Sequence, residues 1–223
     1  MKTRSAYTKQ IKQLDGHVLA MGRGVVEDIR ATGSAIADNN LDAATEVKDD
    51  HVAAERLTRS IEDSCMSLML LQQPLASDLR LVTASFRAVG DLSRIDEMAY
   101  ETALLCLEFP GICGSSLSEE LGQLAEQAAT MVERAISAFE SKDVAVAESV
   151  FPMDDSLDRL FEKTRKLVVD LLKRDDDAAD VAPELLTIAK YYERTGDHAQ
   201  SIADWAIFRA TGSYRGRTMG DSR

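Results

Sequence analysis

The sequence has few cysteines and no long apolar run, and these two absences exclude several classes of protein. Its three cysteines, Cys65, Cys106 and Cys113, are an odd number and form no Cys-x-x-Cys pair, which argues against a disulfide framework. The longest uncharged run, at about residues 65–77, is interrupted by two glutamines and a proline and is too short and polar to span a bilayer. We therefore expect a reduced protein without direct membrane insertion.

Basic patches are also missing. The chain carries 38 acidic against 26 basic residues and a net charge of −12, with no cluster of bases that would neutralise the phosphates of a nucleic acid. The first residues, MKTRSAYTKQIKQLDG, lack the apolar core of a signal peptide. The sequence thus predicts no nucleic-acid partner and a cytosolic location.

The residues that are present favour helix. Only 4 prolines and 12 glycines occur among 223 residues, and Ala, Leu, Glu, Asp and Lys are abundant, whereas β-branched residues rarely cluster. Turn residues such as Asn39-Asn40 and Pro74 separate long uninterrupted segments. We predict six helices, at about residues 7–38, 41–72, 78–108, 118–140, 144–174 and 183–211.

Two of the predicted helices carry an apolar stripe whose steps alternate between four and three residues, the period of one helical face. In the third helix the stripe comprises Leu81, Ser85, Ala88, Leu92, Ile95, Ala99, Thr102 and Cys106. In the sixth helix it comprises Leu185, Ile188, Tyr192, Thr195, Ala199, Ile202 and Ala206. We expect these two faces to lie in the core.

The two halves of the chain repeat each other. Residues 92–95 align with residues 192–195 at an offset of 100, and Ile36 matches Phe139 at an offset of 103. A repeat of this length indicates a duplicated unit, here three helices whose short turns make neighbours antiparallel. The predicted fold class is all-α, with two tandem three-helix bundles.

The repeat also predicts how the chain is organised. The segment FPGICGSSLS, at residues 109–118, is uncharged and holds one proline and two glycines, which is typical of a linker. We assign the first bundle to residues 1–108 and the second to residues 119–212. Residues 213–223 are expected to form a disordered tail.

Acidic side chains follow the edge of the core stripe on the sixth helix. Helical geometry places Glu193, Asp197 and Asp204 on one ridge there, although like charges one turn apart destabilise an isolated helix by about 0.2–0.5 kcal/mol. The fifth helix carries a similar pair, Asp154 and Asp158. We call each such row of acids one turn apart a ladder. In an antiparallel helix pair the two ladders can face each other across one groove, where a cation would offset the repulsion between their carboxylates.

These ladders have more than one explanation. Because 38 of the 223 residues are acidic, a single acid pair one turn apart is more often a solvated face than a ligand set. Two ladders on neighbouring helices leave a metal site and a docking face for a basic partner both open. Oxygen ligands favour Mg²⁺, Mn²⁺ or iron over zinc. Motifs such as Glu-x-x-His, HExxH, the P-loop and GxSxG are absent, so we identify no catalytic residue and no cofactor-binding loop.

Three segments resemble the signatures of the PhoU family of bacterial phosphate-signalling regulators. The segment IAKYYERTGDHAQSIADWAIFRATG (188–212) is similar to the family's C-terminal motif, and LMLLQQPLASDLRLVTASFRAVGDLSRIDEMA (68–99) to its first-half counterpart. MDDSLDRL (153–160) is similar to the motif on the fifth helix. The likeness covers nearly the whole chain.

This resemblance implies a cytosolic, often dimeric regulator without enzymatic activity, which restrains phosphate uptake and the phosphate-starvation response. It implies contacts with the ATPase subunit of the phosphate ABC transporter and with the phosphate sensor histidine kinase. It further implies metal binding at acidic motifs. In the second half the motif positions are Asp154, Asp158, Glu193 and Asp197, and all four carry the expected acid.

The first half departs from the family pattern. His51 stands where the pattern has an acid, whereas Glu55 is in place. In the second motif, Ser93 replaces the first acid, Asp96 a glycine and Glu97 the last aspartate. Each lost carboxylate lowers the attraction for a cation, so we predict a competent second site and a weakened or empty first site at His51, Glu55 and Glu97.

Two other functions stay open at this stage. Carboxylates that hold two cations could activate water in a phosphate-ester hydrolase, and a metal-free helical scaffold would leave the acids unoccupied. Arg94 and Arg194 belong to the family motif and fit a local ion pair as well as a partner contact. His198 fits packing or surface exposure better than a ligand role.

Overall fold

The computed structural model describes residues 2–174 and 180–218 and confirms an all-α fold with six long helices. A short helix of five residues, a 3₁₀ turn and a hairpin of two two-residue strands accompany them. In chain order the elements are α1 (Lys2–Ala37), α2 (Leu41–Gln72), α3 (Ser77–Glu108), a 3₁₀ turn (Pro110–Ile112), α4 (Ser118–Ser141), α5 (Val144–Glu148), α6 (Phe151–Arg174), α7 (Ala182–Thr211), β1 (Ser213–Tyr214) and β2 (Arg217–Thr218).

Local chemistry sets where these helices begin and end. The side chain of Asn40 accepts a hydrogen bond from the backbone N–H of Ala43 and so caps α2. Gln73 and Lys142 adopt left-handed conformations directly after α2 and α4, which stops each helix. The two helices end at Gln72 and Ser141, within one residue of the ends predicted from turn residues.

The prediction of one continuous helix at residues 144–174 is wrong at residues 149–150. Asp143 caps the short helix α5, and the chain breaks before α6 begins at Phe151. Pro152 explains the break, because its ring would collide with the carbonyl of Glu148 in a continuous helix and it has no N–H to donate. The break redirects the chain so that α6 packs on α7.

Helices α1, α2 and α3 form the first bundle, and α4, α6 and α7 form the second. In addition, α1 packs on α4 and α3 packs on α7, so the two bundles share one core. Both predicted apolar stripes are buried along their whole length, as expected. Within the described ranges, no helix combines the length and the apolar character that a membrane span requires.

The linker between the bundles is packed. Ile112, Cys113 and Leu117 are buried, and the backbone N–H of Gly114 donates to the carbonyl of Ile36 at 3.2 Å. Gly114 has a φ of +76°, a conformation that glycine adopts without strain. The segment therefore connects the halves and also contributes to their common core.

Polar contacts also cross between the bundles. The buried Tyr192 hydroxyl, on α7, donates to Thr32 Oγ1, on α1, at 3.1 Å. The Arg209 guanidinium, also on α7, donates to both oxygens of Asp15 on α1 at 2.7 and 2.9 Å. These contacts hold α7 against a helix of the other bundle.

The expectation of a disordered tail is wrong for residues 213–218, which form the β1–β2 hairpin. The Tyr214 ring stacks on Trp205 at a centroid distance of 4.2 Å. Arg215 Nε donates to Asp204 Oδ2 at 2.7 Å. Two segments lie outside the described residues: the end of the predicted tail, at residues 219–223, and residues 175–179 of the polar segment DDDAAD, which the sequence places in a loop between the last two predicted helices.

Candidate metal site in the second bundle

Helices α6 and α7 bring the two predicted ladders of the second half to one groove. Asp154, near the start of α6, is half-buried against Gly196 of α7. A Cβ atom added at Gly196 would lie 3.3 Å from Asp154 Oδ1 and only 2.4 Å from Leu157 Cδ2. The missing side chain at Gly196 therefore lets the Asp154 carboxylate approach the backbone of α7.

The four predicted ligands act on one another electrostatically. Burial raises the pKa of the Asp154 carboxyl above its ordinary value, and the neighbouring Asp158 and Asp197 carboxylates raise it further. Glu193 adds a smaller effect in the same direction, whereas a hydrogen bond with the Gln200 side chain opposes it. The structure thus places Asp158, Glu193 and Asp197 near enough to Asp154 to disfavour the charged form of its carboxyl.

Glu193 is the least satisfied member of this group. Its Oε2 atom is buried and has no partner in hydrogen-bond geometry, although Lys190 Nζ lies 2.5 Å away. The contact is an ion pair between neighbouring turns of α7. The Lys190 ammonium is thus the one positive charge paired with Glu193 in the described part of the chain.

The group is not a preformed coordination shell. Among the described residues, no three His, Cys, Asp or Glu side chains stand close enough together to ligate one ion in their present rotamers. Asp158 and Asp197 are exposed, so both can turn toward the groove. A cation would require that rotation and the departure of Lys190 from Glu193.

Asp204, the third acid of the predicted ridge, does not belong to the group. Its side chain is largely buried and bound to Arg215 of the hairpin. The ridge drawn from helical geometry therefore divides, with its first two acids in the α6–α7 groove and its last acid under the hairpin.

The matching positions of the first bundle are arranged differently. His51 Nδ1, on α2, is hydrogen-bonded to Asp96 Oδ2, on α3, at 2.8 Å. Asp96 is only 5% exposed, and the His51 ring stacks on Tyr100 at a centroid distance of 4.0 Å. Burial raises the pKa of the Asp96 carboxyl, and His51 opposes this shift.

The other two predicted ligands of the first site face arginines of their own helices. Glu55 binds Arg59 at 3.0 Å, and Glu97 binds Arg94 at 2.5 Å. The local ion pair was one of the two roles open to Arg94. His51, Glu55 and Glu97 therefore do not converge on one point at which a metal ion could bind.

Sequence reasoning missed two acids of the first bundle. The sequence presents Asp96 only as the replacement of a glycine. The repeat nevertheless carries a signal for its pairing with His51, because the first half loses an acid at position 51 and gains one at position 96. Asp28, on α1, had no such signal. Burial, followed by the charges of Asp96, Asp50 and Glu27, raises the pKa of Asp28 to about 7.

His198 has a structural partner, in agreement with the packing role expected for it. Its Nδ1 atom lies 2.9 Å from Asp91 Oδ1, and Ser201 Oγ donates to Asp91 Oδ2 at 2.7 Å. Asp91 lies on α3 and the other two residues on α7, so this cluster joins the two bundles.

A comparison with known proteins identifies the family. The family model described as the PhoU domain matches residues 18–104 and again residues 121–206. The chain belongs to the PhoU family. The two matched ranges coincide with the two bundles, which confirms that each bundle is one copy of the duplicated unit.

Relatives of the PhoU family match almost the entire chain. A phosphate-specific transport system accessory protein PhoU homolog from Synechocystis sp. is 30% identical over 211 residues, covering 94% of this chain and 93% of the relative. PhoU homolog 2 from Mycobacterium tuberculosis is 32% identical over 217 residues, covering 95% and 99%. The crystal structure of PhoU from Pseudomonas aeruginosa superposes with a TM-score of 0.87 at 27% identity, covering 93% of this chain and all of that one.

Membership of the PhoU family bears directly on the hydrolase alternative. The family consists of non-enzymatic accessory and regulatory proteins, so the chain is a regulator and the acids of the α6–α7 groove have no assigned catalytic role. Metal binding and specific partners remain predictions.

Proposed function

We propose that this protein is a cytosolic negative regulator of phosphate uptake and of the phosphate-starvation response. In this role it binds the ATPase subunit of the phosphate ABC transporter and the phosphate sensor histidine kinase, and it acts as a homodimer. The observation that carries the proposal is the PhoU family match over both bundles, together with relatives that are accessory proteins of phosphate-specific transport.

The proposal includes a cation at the second bundle. Asp154, Asp158, Glu193 and Asp197 would hold it. Two observations fit this assignment: the Glu193 carboxylate already attracts a positive charge, the Lys190 ammonium, and Gly196 leaves room for Asp154 beside α7. Carboxylate oxygens suit Mg²⁺, Mn²⁺ or iron. The ion would neutralise the repulsion among the four acids and join α6 to α7.

The partner assignment is tested by direct binding. The purified chain is titrated with the transporter ATPase subunit and with the cytoplasmic part of the sensor kinase from the same organism, with and without phosphate and Mn²⁺. We expect saturable binding to at least one of them. Absence of binding to both proteins under all four conditions would refute the adaptor role.

The metal assignment is tested by elemental analysis of protein purified without chelators and then incubated with Mn²⁺, Fe²⁺ or Mg²⁺. We expect bound metal in the native chain and none in the variant Asp154→Asn/Asp158→Asn/Glu193→Gln/Asp197→Asn. As a control, Glu162→Gln/Asp170→Asn removes two exposed acids of α6 that lie in local ion pairs and should retain the metal. Equal metal content in the native chain and the fourfold variant would contradict the assignment.

The dimer is tested by sedimentation equilibrium of the native chain over a range of concentrations. We expect a mass of twice 24.5 kDa. A monomer at every concentration would contradict this part of the proposal.

A further inference from the structure

The two bundles present the same groove with different chemistry. In the second bundle the groove between α6 and α7 contains Asp154 and Leu157 opposite Gly196. The residues at the matching positions of the first bundle, between α2 and α3, are His51, Ala54 and Asp96. Three positions that meet at one point thus differ together.

The second groove places acids near one another, and Lys190 of α7 pairs with only one of them, Glu193. Leu157 fills the space in which a side chain at position 196 would lie, with a Cβ distance of 2.4 Å. Position 196 of α7 therefore has no side chain that could form a hydrogen bond with Asp154. Burial of Asp154, and then the nearby carboxylates of Asp158 and Asp197, raise the pKa of the Asp154 carboxyl.

The first groove contains its own compensation. In the first bundle the carboxylate lies on α3, as Asp96, and the matching position on α2 is His51. Ala54 stands where the second bundle has the larger Leu157. The result is a buried hydrogen bond of 2.8 Å from helix to helix, supported by Tyr100 stacked on the His51 ring. Two other acids, Glu55 and Glu97, are turned outward to Arg59 and Arg94.

We propose that the His51–Asp96 pair closes the α2–α3 groove without a metal, so that only the second bundle responds to metal. This inference rests on the cation site proposed for the second bundle. The pair occupies the position at which an ion would have to join the two helices, and it uses one nitrogen of His51 and the buried carboxylate of Asp96 for that purpose. The duplicated protein thereby becomes asymmetric, with one permanent link and one link that depends on a cation.

The first part of the test measures the pair itself in EDTA, where no metal contributes. Unfolding is followed for His51→Ala, Asp96→Ala and the double variant in a double-mutant cycle. We expect the pair to be coupled by about tenfold in the unfolding equilibrium constant. The exposed pair Arg23–Glu140, which joins α1 to α4, provides the control cycle and should show much weaker coupling. An additive cycle for His51 and Asp96 would overturn the inference.

The second part exchanges the two chemistries and measures the binding of Mn²⁺ alone. The variant His51→Asp/Ala54→Leu/Ser93→Glu/Asp96→Gly/Glu97→Asp gives the first bundle the residues of the second, except that Glu55 remains in place of Asp158. We expect its Mn²⁺ stoichiometry to be twice that of the native chain. If this variant does not fold, the smaller exchange Asp154→His/Leu157→Ala/Gly196→Asp answers the same question. It should fold in EDTA and bind no Mn²⁺.

The outcomes separate this inference from the proposed function. Native protein that keeps half of its Mn²⁺ when the four acids of the second bundle are neutralised, and loses it with Glu55→Gln/Glu97→Gln, has a metal in the first bundle and overturns the inference. Native protein that binds no Mn²⁺ refutes the proposed cation site, and the cycle in EDTA then decides whether the His51–Asp96 pair closes the groove. Coupling in EDTA together with Mn²⁺ confined to the second bundle supports both.

Discussion

At the scale of single residues, one missing side chain determines how closely α6 and α7 approach. Gly196 is buried, and a methyl group there would meet Leu157 Cδ2 at 2.4 Å. Leu157 is fully buried, so its side chain can shift only by displacing its own neighbours. Gly90, on α3, is exposed and has no atom within 4 Å of an added Cβ. Gly90 and Gly196 both lie inside the last helix of their bundle, but only Gly196 is packed against another helix.

Substitution of Gly196 by alanine should therefore destabilise the protein by about 1–3 kcal/mol, because the added methyl group overpacks the α6–α7 contact. The control Gly90→Ala should stabilise it by up to about 1 kcal/mol, since alanine loses less backbone entropy in a helix. Urea denaturation followed by circular dichroism measures both. Equal effects of the two substitutions would contradict the packing described at Gly196.

The half-buried carboxyl of Asp28 predicts a pH dependence. Its pKa is about 7 in the folded chain, against an ordinary value near 3.8, so the folded state binds the proton more tightly than the unfolded state. This contribution to stability is complete below the unfolded pKa and is lost as the pH rises through about 7.

Asp28→Asn should consequently stabilise the protein at pH 8, by at least about 1 kcal/mol after allowance for partial solvent screening. The advantage should shrink steadily as the pH falls from 7 toward 4, because the native carboxyl is then protonated. Urea unfolding of both proteins at a series of pH values measures it. A difference that does not change with pH would show that the folded pKa of Asp28 is not raised.

At the scale of elements, helix α7 is held by contacts with both bundles. The Arg209 side chain, on α7, is only 4% exposed, pairs with Asp15 on α1 and lies over the Phe139 ring of α4 at 4.6 Å. Removal of one partner from a buried ion pair leaves the other charge buried and uncompensated. This costs more free energy than the loss of the attraction between the two charges.

Asp15→Ala should thus destabilise the protein by about 3 kcal/mol, because it leaves the Arg209 guanidinium buried without its acceptor. Glu140→Ala is the matched control, because it breaks a pair of the same kind between α1 and α4 that is exposed on both sides and should cost less than about 1 kcal/mol. Thermal unfolding at neutral pH distinguishes them. Similar costs would indicate that solvent reaches Arg209.

At the scale of the whole molecule, the two halves do not have separate cores. Contacts of α1 with α4 and of α3 with α7 bury apolar faces from both bundles, and the linker residues Ile112 and Leu117 lie in the same interior. A half expressed alone would expose these faces to water at a cost of roughly 25 cal/mol for each Å² of apolar surface.

Fragments 1–113 and 114–223 should therefore each fail to unfold cooperatively when expressed alone, whereas the mixed fragments should regain helix content and a single transition. Calorimetry and circular dichroism of each fragment and of the mixture measure this. A cooperative transition in either isolated fragment would show that one bundle is stable by itself.

The sequence by itself determined the six long helices, their two apolar stripes and the duplication, because the period of a helical face and a long repeat are properties of residue spacing. It also located the acids of the second bundle, since an offset repeat and a motif suffice for that. It did not anticipate the helix break before Pro152, the hairpin at residues 213–218 or the raised pKa of Asp28.

Only the tertiary structure decided which acids share a groove. Asp204 and Glu193 lie on one predicted ridge, yet the hairpin binds the first and the α6–α7 groove holds the second. His51 and Asp96 are 45 positions apart, and their pairing depends on how α2 packs against α3. The physical reason is that side-chain partners are selected by packing between helices, whereas the helices themselves are specified by the order of residues along the chain.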